Sequence, residues 1–475
     1  MRCKSFMTQQ LFTTYKPVSQ AVAQRKRAVS ILLLAVVLLQ ACRPGEITTP
    51  VAPQVNNATT YSNQVPLGWS DMHLKLIRNS PGFTPPVASR TFGYAGVAMY
   101  EAVVAGMPAN QSLTRQLQGL TNLPVTEANK TYNWALSANA AQAEVLRGLF
   151  ANTNAAYKKK IDSLETLYAD QFKSTDADQN TRSSAYGKAV GAAIFEWSKT
   201  DGGHEGYTRN FPADYVVSTD AGGWQPTENG RKIPMQPYWG KNRTFIGSTQ
   251  ALPIPTPLPV STQTTSTYFA QYLEVYAKNI TLTQEEKEIS VWWADDPSET
   301  FTPPGHSYNL ARIAIQADKA NLAKAAETFA RVGIAVSDAF VACWKCKFTY
   351  NNERPYTFVR RTIDPNWVPF WPAPPFPGFA SGHSTQSAAA AVVLTDLYGS
   401  AFAFTDDSHV GRVRDAKRNT DFKARAYKSF WEAAEESGWS RILGGIHTRQ
   451  DNEVGLKEGR LIGQNINALR WKVVQ

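Results

Sequence analysis

Long apolar runs, cysteine and recurring strand patterns are all scarce in this chain of 475 residues. After residue 41 no apolar stretch approaches the roughly 20 residues of a membrane-spanning helix, which excludes a multi-spanning membrane protein. The hydrophobic fraction of 43% is nevertheless too high for a disordered chain. Alternating β-branched runs do not recur at intervals of about 8–12 residues, which argues against a β-sandwich or barrel. These absences leave a globular, helical chain.

Cysteine is limited to four residues, of which Cys343 and Cys346 lie in the body of the chain. A zinc site would need two further ligands at matching spacing, and the sequence shows none. In an exported protein the pair could oxidise to a disulfide, whereas within a helix the two would be small apolar residues. Both interpretations stay open at this point.

Acidic residues are absent from positions 1–41, which contain six Lys and Arg. A basic cluster at 25–27 precedes a short apolar stretch that ends just before Cys42, the pattern of a lipoprotein signal peptide whose cysteine receives the lipid. With about 14 apolar residues, the stretch is too short to favour a membrane anchor. We predict a signal peptide over 1–41, a flexible tether over 42–65, and an exported bacterial lipoprotein held at Cys42 on a membrane that faces the periplasm or the cell surface.

The formal charge of +10 has a local origin. Without the signal segment, the 49 Lys and Arg fall to 43 against 39 Asp and Glu, which is an ordinary balance. We therefore expect no nucleic-acid partner, and contact with a membrane only through the lipid.

Helical periodicity covers most of 66–475, which we interpret as a single all-α domain without internal repeats. The exception is 201–264, where Gly and Pro interrupt any regular element and aromatic residues favour a long ordered loop over a linker. The predicted helices cover 85–106, 127–150, 156–173, 182–199, 266–280, 283–295, 307–316, 320–346, 383–399, 422–444 and 452–471.

Candidate catalytic and anion-binding residues are concentrated in three short motifs between residues 340 and 455. Three cations that converge on one point would require a compact polyanion, and Arg suits bidentate contact with a tetrahedral oxyanion. A Ser-Gly pair at a helix N-terminus adds backbone N–H donors for the same anion. The motifs are Lys347 with Arg354-Pro355, then Ser381-Gly382-His383, then Arg441 with His447 and Asp451.

The spacing within these motifs predicts how the two histidines act. His447 and Asp451 are four residues apart, so we expect them on one helix face, with the carboxylate fixing one imidazole nitrogen. A glycine pair at 444–445 could turn Arg441 and His447 to one cavity. His383, beside the donor loop, is placed for acid–base work.

The order Lys-x6-Arg-Pro, Ser-Gly-His and Ser-Arg-x5-His-x3-Asp resembles the type 2 phosphatidic acid phosphatase and vanadium-dependent haloperoxidase superfamily. The resemblance implies an all-α helical bundle of the haloperoxidase type, in which one cradle binds vanadate or phosphate. The chain departs from the family pattern at Ala380, where the common residue is Pro. The resemblance implies that Lys347, Arg354, Ser381, Gly382 and Arg441 bind the oxyanion, His447 is the vanadium ligand or the phosphorylated nucleophile, His383 is the acid–base residue, Asp451 orients His447, and Lys347 is also catalytic.

The haloperoxidase branch fits the chain better than the phosphatases, because the body is long, helical and free of membrane spans. Trp344 and Phe376 resemble aromatic residues that flank the oxyanion in chloroperoxidases, although core packing would explain them equally well. Asp295, rather than Asp296, matches an acidic residue that pairs with a vanadate-binding Arg. The expected partners are hydrogen peroxide, halide and a small organic substrate. A phosphatase acting through a phosphohistidine is the alternative and a silent scaffold the third hypothesis, while the patterns leave a homodimer open.

Overall fold

The computed structural model describes residues 57–228 and 230–473, which lie in the compact unit Val55–Gln475. Most of their regular structure is helical, and the all-α prediction is confirmed. One two-stranded antiparallel sheet in the described residues pairs β1 (Phe404–Asp406) with β2 (Arg425–Tyr427). The helices are α1 (Gln64–Asn79), α2 (Pro85–Val103), α3 (Trp134–Leu149), α4 (Ala155–Phe172), α5 (Ala177–Ser198), α6 (Gly247–Gln250), α7 (Thr267–Ile280), α8 (Gln284–Trp292), α9 (Thr302–Ala317), α10 (Leu322–Tyr350), α11 (Pro355–Thr362), α12 (Gly382–Tyr398), α13 (Phe430–Leu443) and α14 (Arg449–Asn467), with 3-10 turns at Ala58–Thr60, Val104–Gly106, Gly206–Thr208 and Trp239–Lys241.

Helices α2 and α10 form the centre of the fold and make its most extensive helix–helix contact. Small residues let their backbones approach closely. A Cβ on Gly96 of α2 would lie 2.4 Å from the carbonyl oxygen of Phe329 in α10, and one on Gly333 would lie 2.2 Å from that of Phe92. Nearly all of α2 is buried, so the helix predicted over 85–106 is a core helix.

Residues 57–65 belong to the folded domain, so the predicted tether over 42–65 extends too far. Ala58 is fully buried, and the carbonyl of Tyr61 accepts a hydrogen bond from the N–H of Leu322 at 2.9 Å. The predicted signal peptide, Cys42 and the rest of the tether lie outside the described residues. Among the described helices, none combines the length and apolarity needed to cross a membrane.

The segment 201–264 is an ordered loop, as predicted, and is held by buried polar contacts. Asp338 of α10 accepts backbone hydrogen bonds from Phe245 at 2.6 Å and Ile246 at 3.2 Å. At the start of the loop, Asp201 forms a buried ion pair with Arg90 at 2.7 Å. These contacts fasten the loop to α10 and α2.

The predicted helix over 422–444 is wrong in its first eight residues. Residues 425–427 pair with β1 instead, and α13 begins at Phe430 after Ser429, whose Oγ accepts from the N–H of Glu432 at 3.1 Å. Helix-favouring Lys and Ala in this stretch are overridden by the strand pairing and the serine cap. Similarly, the helix predicted over 127–150 begins only at Trp134, where Asn133 caps it.

Candidate active site

The ends of five helices position the residues that the motifs predict. Lys347 lies in the last turn of α10, Arg354 directly precedes α11, and Ser381 caps α12. Arg441 lies in the last turn of α13, and His447 lies just before α14. All five are buried, and the four ionisable side chains among them influence one another electrostatically. Ser381 is joined to the third motif by a backbone hydrogen bond to Asp451, so the three sequence motifs form one site.

Lys347 is completely buried and is oriented by backbone oxygens. Its ammonium donates to the carbonyls of Pro377 at 2.9 Å, Gly378 at 2.8 Å and Ala380 at 2.5 Å. Burial lowers the pKa of Lys347 to about 8. The contact with Ala380 uses only a carbonyl, so the departure from the family's Pro at this position leaves it intact.

Arg354 is also oriented by backbone carbonyls, and one of its N–H groups has no partner in the described structure. Its Nε donates to the carbonyl of Phe376 at 2.8 Å, and its Nη1 donates to the carbonyl of Ile446 at 2.7 Å and lies 3.0 Å from His447 Nε2. Its Nη2 is buried without a hydrogen-bond partner in the described structure. Burial lowers the pKa of Arg354 to about 9, so the guanidinium still carries its charge at neutral pH.

Arg441 donates through Nη1 to the carbonyl of Trp293 at 3.1 Å, and its buried Nε has no partner among the described groups. Burial lowers its pKa to about 10. Asp296 has the largest electrostatic effect on Arg441 after burial, ahead of Asp295. The expectation that Asp295 pairs with this Arg is therefore corrected, because both Asp295 oxygens bind histidines elsewhere.

His447 and Asp451 interact as predicted, but not on a helix face. Helix α13 ends before Gly444, and the left-handed backbone of Gly445 (φ 74°) redirects the chain. His447 then precedes the N-cap Thr448, and Asp451 stands in the first turn of α14. One Asp451 oxygen accepts from both His447 Nδ1 and the Thr448 N–H, each at 3.0 Å. The imidazole proton is thereby held at Nδ1, and Nε2 is left with its lone pair.

Ser381 and Gly382 open α12 as predicted. Ser381 Oγ accepts from the N–H of Ser384 at 3.3 Å, while the Ser381 N–H donates to the carbonyl of Asp451 at 2.9 Å. A Cβ on Gly382 would lie 3.4 Å from the ring of Trp344. The N-terminus of α12 is thus fixed against α14.

His383, in the first turn of α12, is half-buried and donates from Nε2 to the carbonyl of Trp293 at 2.9 Å. Burial, together with the charge of Arg441, holds its pKa well below the usual value. The neutral ring therefore keeps its lone pair on Nδ1. Trp293 O is the shared acceptor for His383 and Arg441, and nothing in the sequence marks a backbone carbonyl for this task.

Trp344 and Phe376 form an aromatic wall beside the cations, with ring centroids 5.0 Å apart. The Lys347 ammonium lies 5.3 Å from the Phe376 ring centroid and the Arg354 guanidinium 4.8 Å from it. Trp344 is also tied to the ordered loop, since its indole N–H donates to the carbonyl of Met235 at 3.2 Å. Both aromatic residues contact the site while also packing in the core.

The two body cysteines are free and buried, so the disulfide interpretation is wrong and the apolar-helix interpretation is confirmed. Burial raises the pKa of the Cys343 thiol to about 11. Its S–H donates to the carbonyl of Ala380 at 3.4 Å, which places it behind Lys347 and outside the reactive set.

The donors of this site fit a tetrahedral oxyanion. Three buried cations meet, with Asp451 beside Lys347 and Arg354 and with Asp296 acting on Arg441, and two guanidinium N–H groups lack partners among the described groups. A buried donor without an acceptor costs about 1–3 kcal/mol, and more when it is charged. An anion with several acceptor oxygens would remove that cost. The His447 Nε2 lone pair, which accepts from Arg354 Nη1 at 3.0 Å, would become a ligand atom if the anion took over that donor.

Comparisons with known proteins agree with this geometry. A family model described as the VCPO second helical-bundle domain matches residues 327–475. The chain is 24% identical to vanadium chloroperoxidase of Curvularia inaequalis, over 86% of this chain and 82% of that protein. A solved structure described as the first bacterial vanadium-dependent iodoperoxidase is 32% identical and superposes with a TM-score of 0.76, over 87% of this chain and 98% of that one. A holo-type bacterial vanadium-dependent chloroperoxidase, 14% identical, shares the fold with a TM-score of 0.60, over 82% of this chain and 94% of that one.

Proposed function

This chain belongs to the vanadium-dependent haloperoxidase family, and on that premise we propose that it oxidises halide with hydrogen peroxide at a vanadate held by His447. The observation that carries the proposal is the set of buried, unpartnered donors on Arg354 and Arg441 beside His447, whose Nδ1 is bound to Asp451 and whose Nε2 faces Arg354 Nη1 at 3.0 Å. Bound vanadate supplies a Lewis-acidic centre that activates hydrogen peroxide toward halide without a change of oxidation state.

The chain's own groups divide the remaining work. Lys347, Arg354 and Arg441 bind the oxyanion, and the N-terminus of α12 at Gly382 adds the positive end of a helix. Their buried surroundings strengthen these interactions, because the local dielectric constant is low. Phosphate shares the charge and shape of vanadate and fits the same cradle.

Two histidines handle ligation and protons. Asp451 keeps the His447 proton at Nδ1, so Nε2 remains a ligand atom. His383 has its Nε2 proton engaged by Trp293, so Nδ1 can accept the proton that hydrogen peroxide loses on binding and return it later. Halide, hydrogen peroxide and a proton yield hypohalous acid and water. The hypohalous acid then halogenates a small organic substrate.

The test is a halogenation assay on the purified chain with hydrogen peroxide and chloride, bromide or iodide, with and without orthovanadate. We expect vanadate-dependent halogenation of an organic reporter that phosphate inhibits by competition. A phosphate-ester assay on the same sample tests the phosphohistidine alternative. Ester hydrolysis that vanadate inhibits, with no halogenation at any halide, would overturn the proposal.

We also propose that the enzyme is exported and lipid-anchored at Cys42, with residues 1–41 removed. The basic cluster at 25–27, the short apolar stretch and the cysteine that follows support this. Cell fractionation with labelled fatty acid tests it. We expect label on the wild-type chain in the membrane fraction, and loss of label and release from the membrane for Cys42→Ala. An unlabelled wild-type chain would contradict the anchor.

A further inference from the structure

A second group of titratable residues lies behind the oxyanion site and has no part in the mechanism above. Asp295, His306, Asp406 and His409 form a fully buried chain of hydrogen bonds. His306 Nδ1 lies 2.7 Å from Asp295 and its Nε2 lies 2.8 Å from Asp406. His409 Nε2 lies 2.9 Å from the other oxygen of Asp295.

The histidines and carboxylates of this cluster are residue types that can bind a metal ion. Their geometry instead fits a hydrogen-bonded network in which His306 carries a proton on each ring nitrogen. A ligating imidazole needs one nitrogen with a free lone pair. Both nitrogens of His306 instead lie at hydrogen-bond distance from carboxylates, which accept protons and donate none. Burial lowers the pKa of His306, but the carboxylates of Asp295 and Asp406 outweigh it and raise the pKa to about 10. The cluster therefore contains its own cation.

The network holds the segment that ends α8. The His306 ring stacks on the Trp293 ring, with centroids 4.4 Å apart and an interplanar angle of 22°. The indole N–H of Trp292 donates to Asp406 at 2.8 Å, and that of Trp293 donates to Glu436 at 2.9 Å. Both indoles are thus fixed, and Asp295, two residues after Trp293, is held by His306 and His409. The backbone from Trp293 to Asp295 is therefore fixed at both ends.

That backbone carries the carbonyl on which two site residues depend. Trp293 O accepts from His383 Nε2 at 2.9 Å and from Arg441 Nη1 at 3.1 Å. The first bond sets which nitrogen of His383 carries the proton, and the second aims the Arg441 guanidinium. A shift of this one oxygen would disturb the proton acceptor and an oxyanion donor together.

We propose that His306 is a positioning residue: clamped between Asp295 and Asp406 and stacked on Trp293, it fixes the carbonyl that orients His383 and Arg441. The roles of the two oriented residues rest on the proposed function. The positioning itself can be measured without peroxide or halide, so failure of one does not imply failure of the other.

The test uses the protein without vanadate, labelled with ¹⁵N in its histidine rings, and the variant His306→Gln. Long-range ¹H–¹⁵N spectra report the tautomer of each histidine, and calorimetry with inorganic phosphate reports the oxyanion donors. We expect wild-type His383 to be a single Nε2–H tautomer and His306 to be doubly protonated. In His306→Gln we expect mixed His383 tautomers and phosphate affinity about tenfold lower, as partial loss of one charge-assisted hydrogen bond would give.

His73→Gln is the matched control, because His73 is equally buried but bonds to Thr91 and packs against Phe92 and Phe150. We expect it to leave the His383 tautomer and phosphate affinity unchanged. If His306→Gln does not fold, Asp406→Asn removes one side of the clamp and carries the same expectations. A folded variant with unchanged His383 tautomer and phosphate affinity would refute the proposal, as would a stoichiometric metal ion in the wild type that His306→Gln loses.

Discussion

Lys347 makes oxyanion binding depend on pH in a way that the structure lets us calculate. Burial lowers its pKa from the ordinary 10.5 to about 8, which corresponds to roughly 3 kcal/mol against the buried ammonium. Bound oxyanion recovers that energy, because a unit charge about 4 Å away contributes roughly 4 kcal/mol at an effective dielectric constant of about 20. The ammonium is present below pH 8 and is lost as the pH rises through that value.

We therefore expect phosphate affinity of the vanadate-free protein to be highest below pH 8. Above it, affinity should fall by up to about tenfold for each pH unit, because binding must then also take up one proton. Calorimetric titration with phosphate between pH 6 and 9 measures this. Lys347→Arg is the control, since a guanidinium holds its proton more strongly than an ammonium in the same position. The variant should lack the decline that belongs to Lys347 and keep any change due to phosphate itself or to Arg354, whose pKa is about 9.

Parallel pH curves for the wild type and Lys347→Arg would refute the reasoning. They would show that Lys347 remains charged throughout, so that its three carbonyl partners offset burial completely. A Lys347→Met variant sets the upper bound of the effect. Its phosphate affinity should lack the decline above pH 8 that belongs to Lys347. Below pH 8 it should be about 10³-fold lower than that of the wild type if the full charge contribution is lost.

Three further predictions concern ligation, packing and the ordered loop. His447→Ala should abolish vanadate-dependent halogenation yet keep phosphate affinity within about tenfold of the wild type, because the cations remain. Loss of phosphate binding in a calorimetric titration would show that His447 supports the oxyanion cradle itself. Gly96→Ala should destabilise the protein by about 1–3 kcal/mol in denaturant unfolding, because its Cβ would meet the Phe329 carbonyl, whereas Gly247→Ala, with no atom closer than 3.8 Å, should have little effect. Asp338→Ala leaves two backbone N–H groups of the loop without their acceptor, so limited proteolysis should cut within 201–264 faster than in the wild type; equal cleavage rates would contradict the anchoring role.

The sequence is sufficient to predict the helical fold and the three motifs, because those signals are local. Helical periodicity and residue spacing survive without any knowledge of packing. The hairpin of β1 and β2 was not predicted because each strand has three residues and the pairing joins positions 19 to 23 residues apart. Strand formation in such short segments depends on the partner and not on intrinsic preference.

Residue identity alone does not predict which of Asp295 and Asp296 interacts with Arg441. The two carboxylates are adjacent in sequence, yet Asp295 has a left-handed backbone (φ 51°) and binds His306 and His409. Asp296 is the one that acts most strongly on Arg441, and burial raises its pKa to about 6. A backbone turn decides which of the two acids faces the cation, and that turn depends on packing around the histidines.

The hydrogen-bond partners of a buried cation show whether it is structural or functional. Residue type alone does not distinguish the two kinds. Arg90 is buried against Asp201 at 2.7 Å, so its charge is neutralised where it stands. Lys347, Arg354 and Arg441 are equally buried, but in the described structure their hydrogen bonds run to backbone carbonyls and a neutral imidazole.

A carbonyl fixes the direction of a cation without cancelling its charge, because it carries only a partial charge. The three side chains are therefore oriented in advance and only partly compensated, by the carboxylates of Asp451 and Asp296, at a cost to the stability of the protein without an anion. The same cost is returned when an oxyanion binds, and vanadate or phosphate should raise the unfolding temperature by an amount that grows with the logarithm of its affinity. This arrangement also explains why Ala380 can replace the family's proline: what Lys347 requires from this position is the carbonyl oxygen, which every residue supplies.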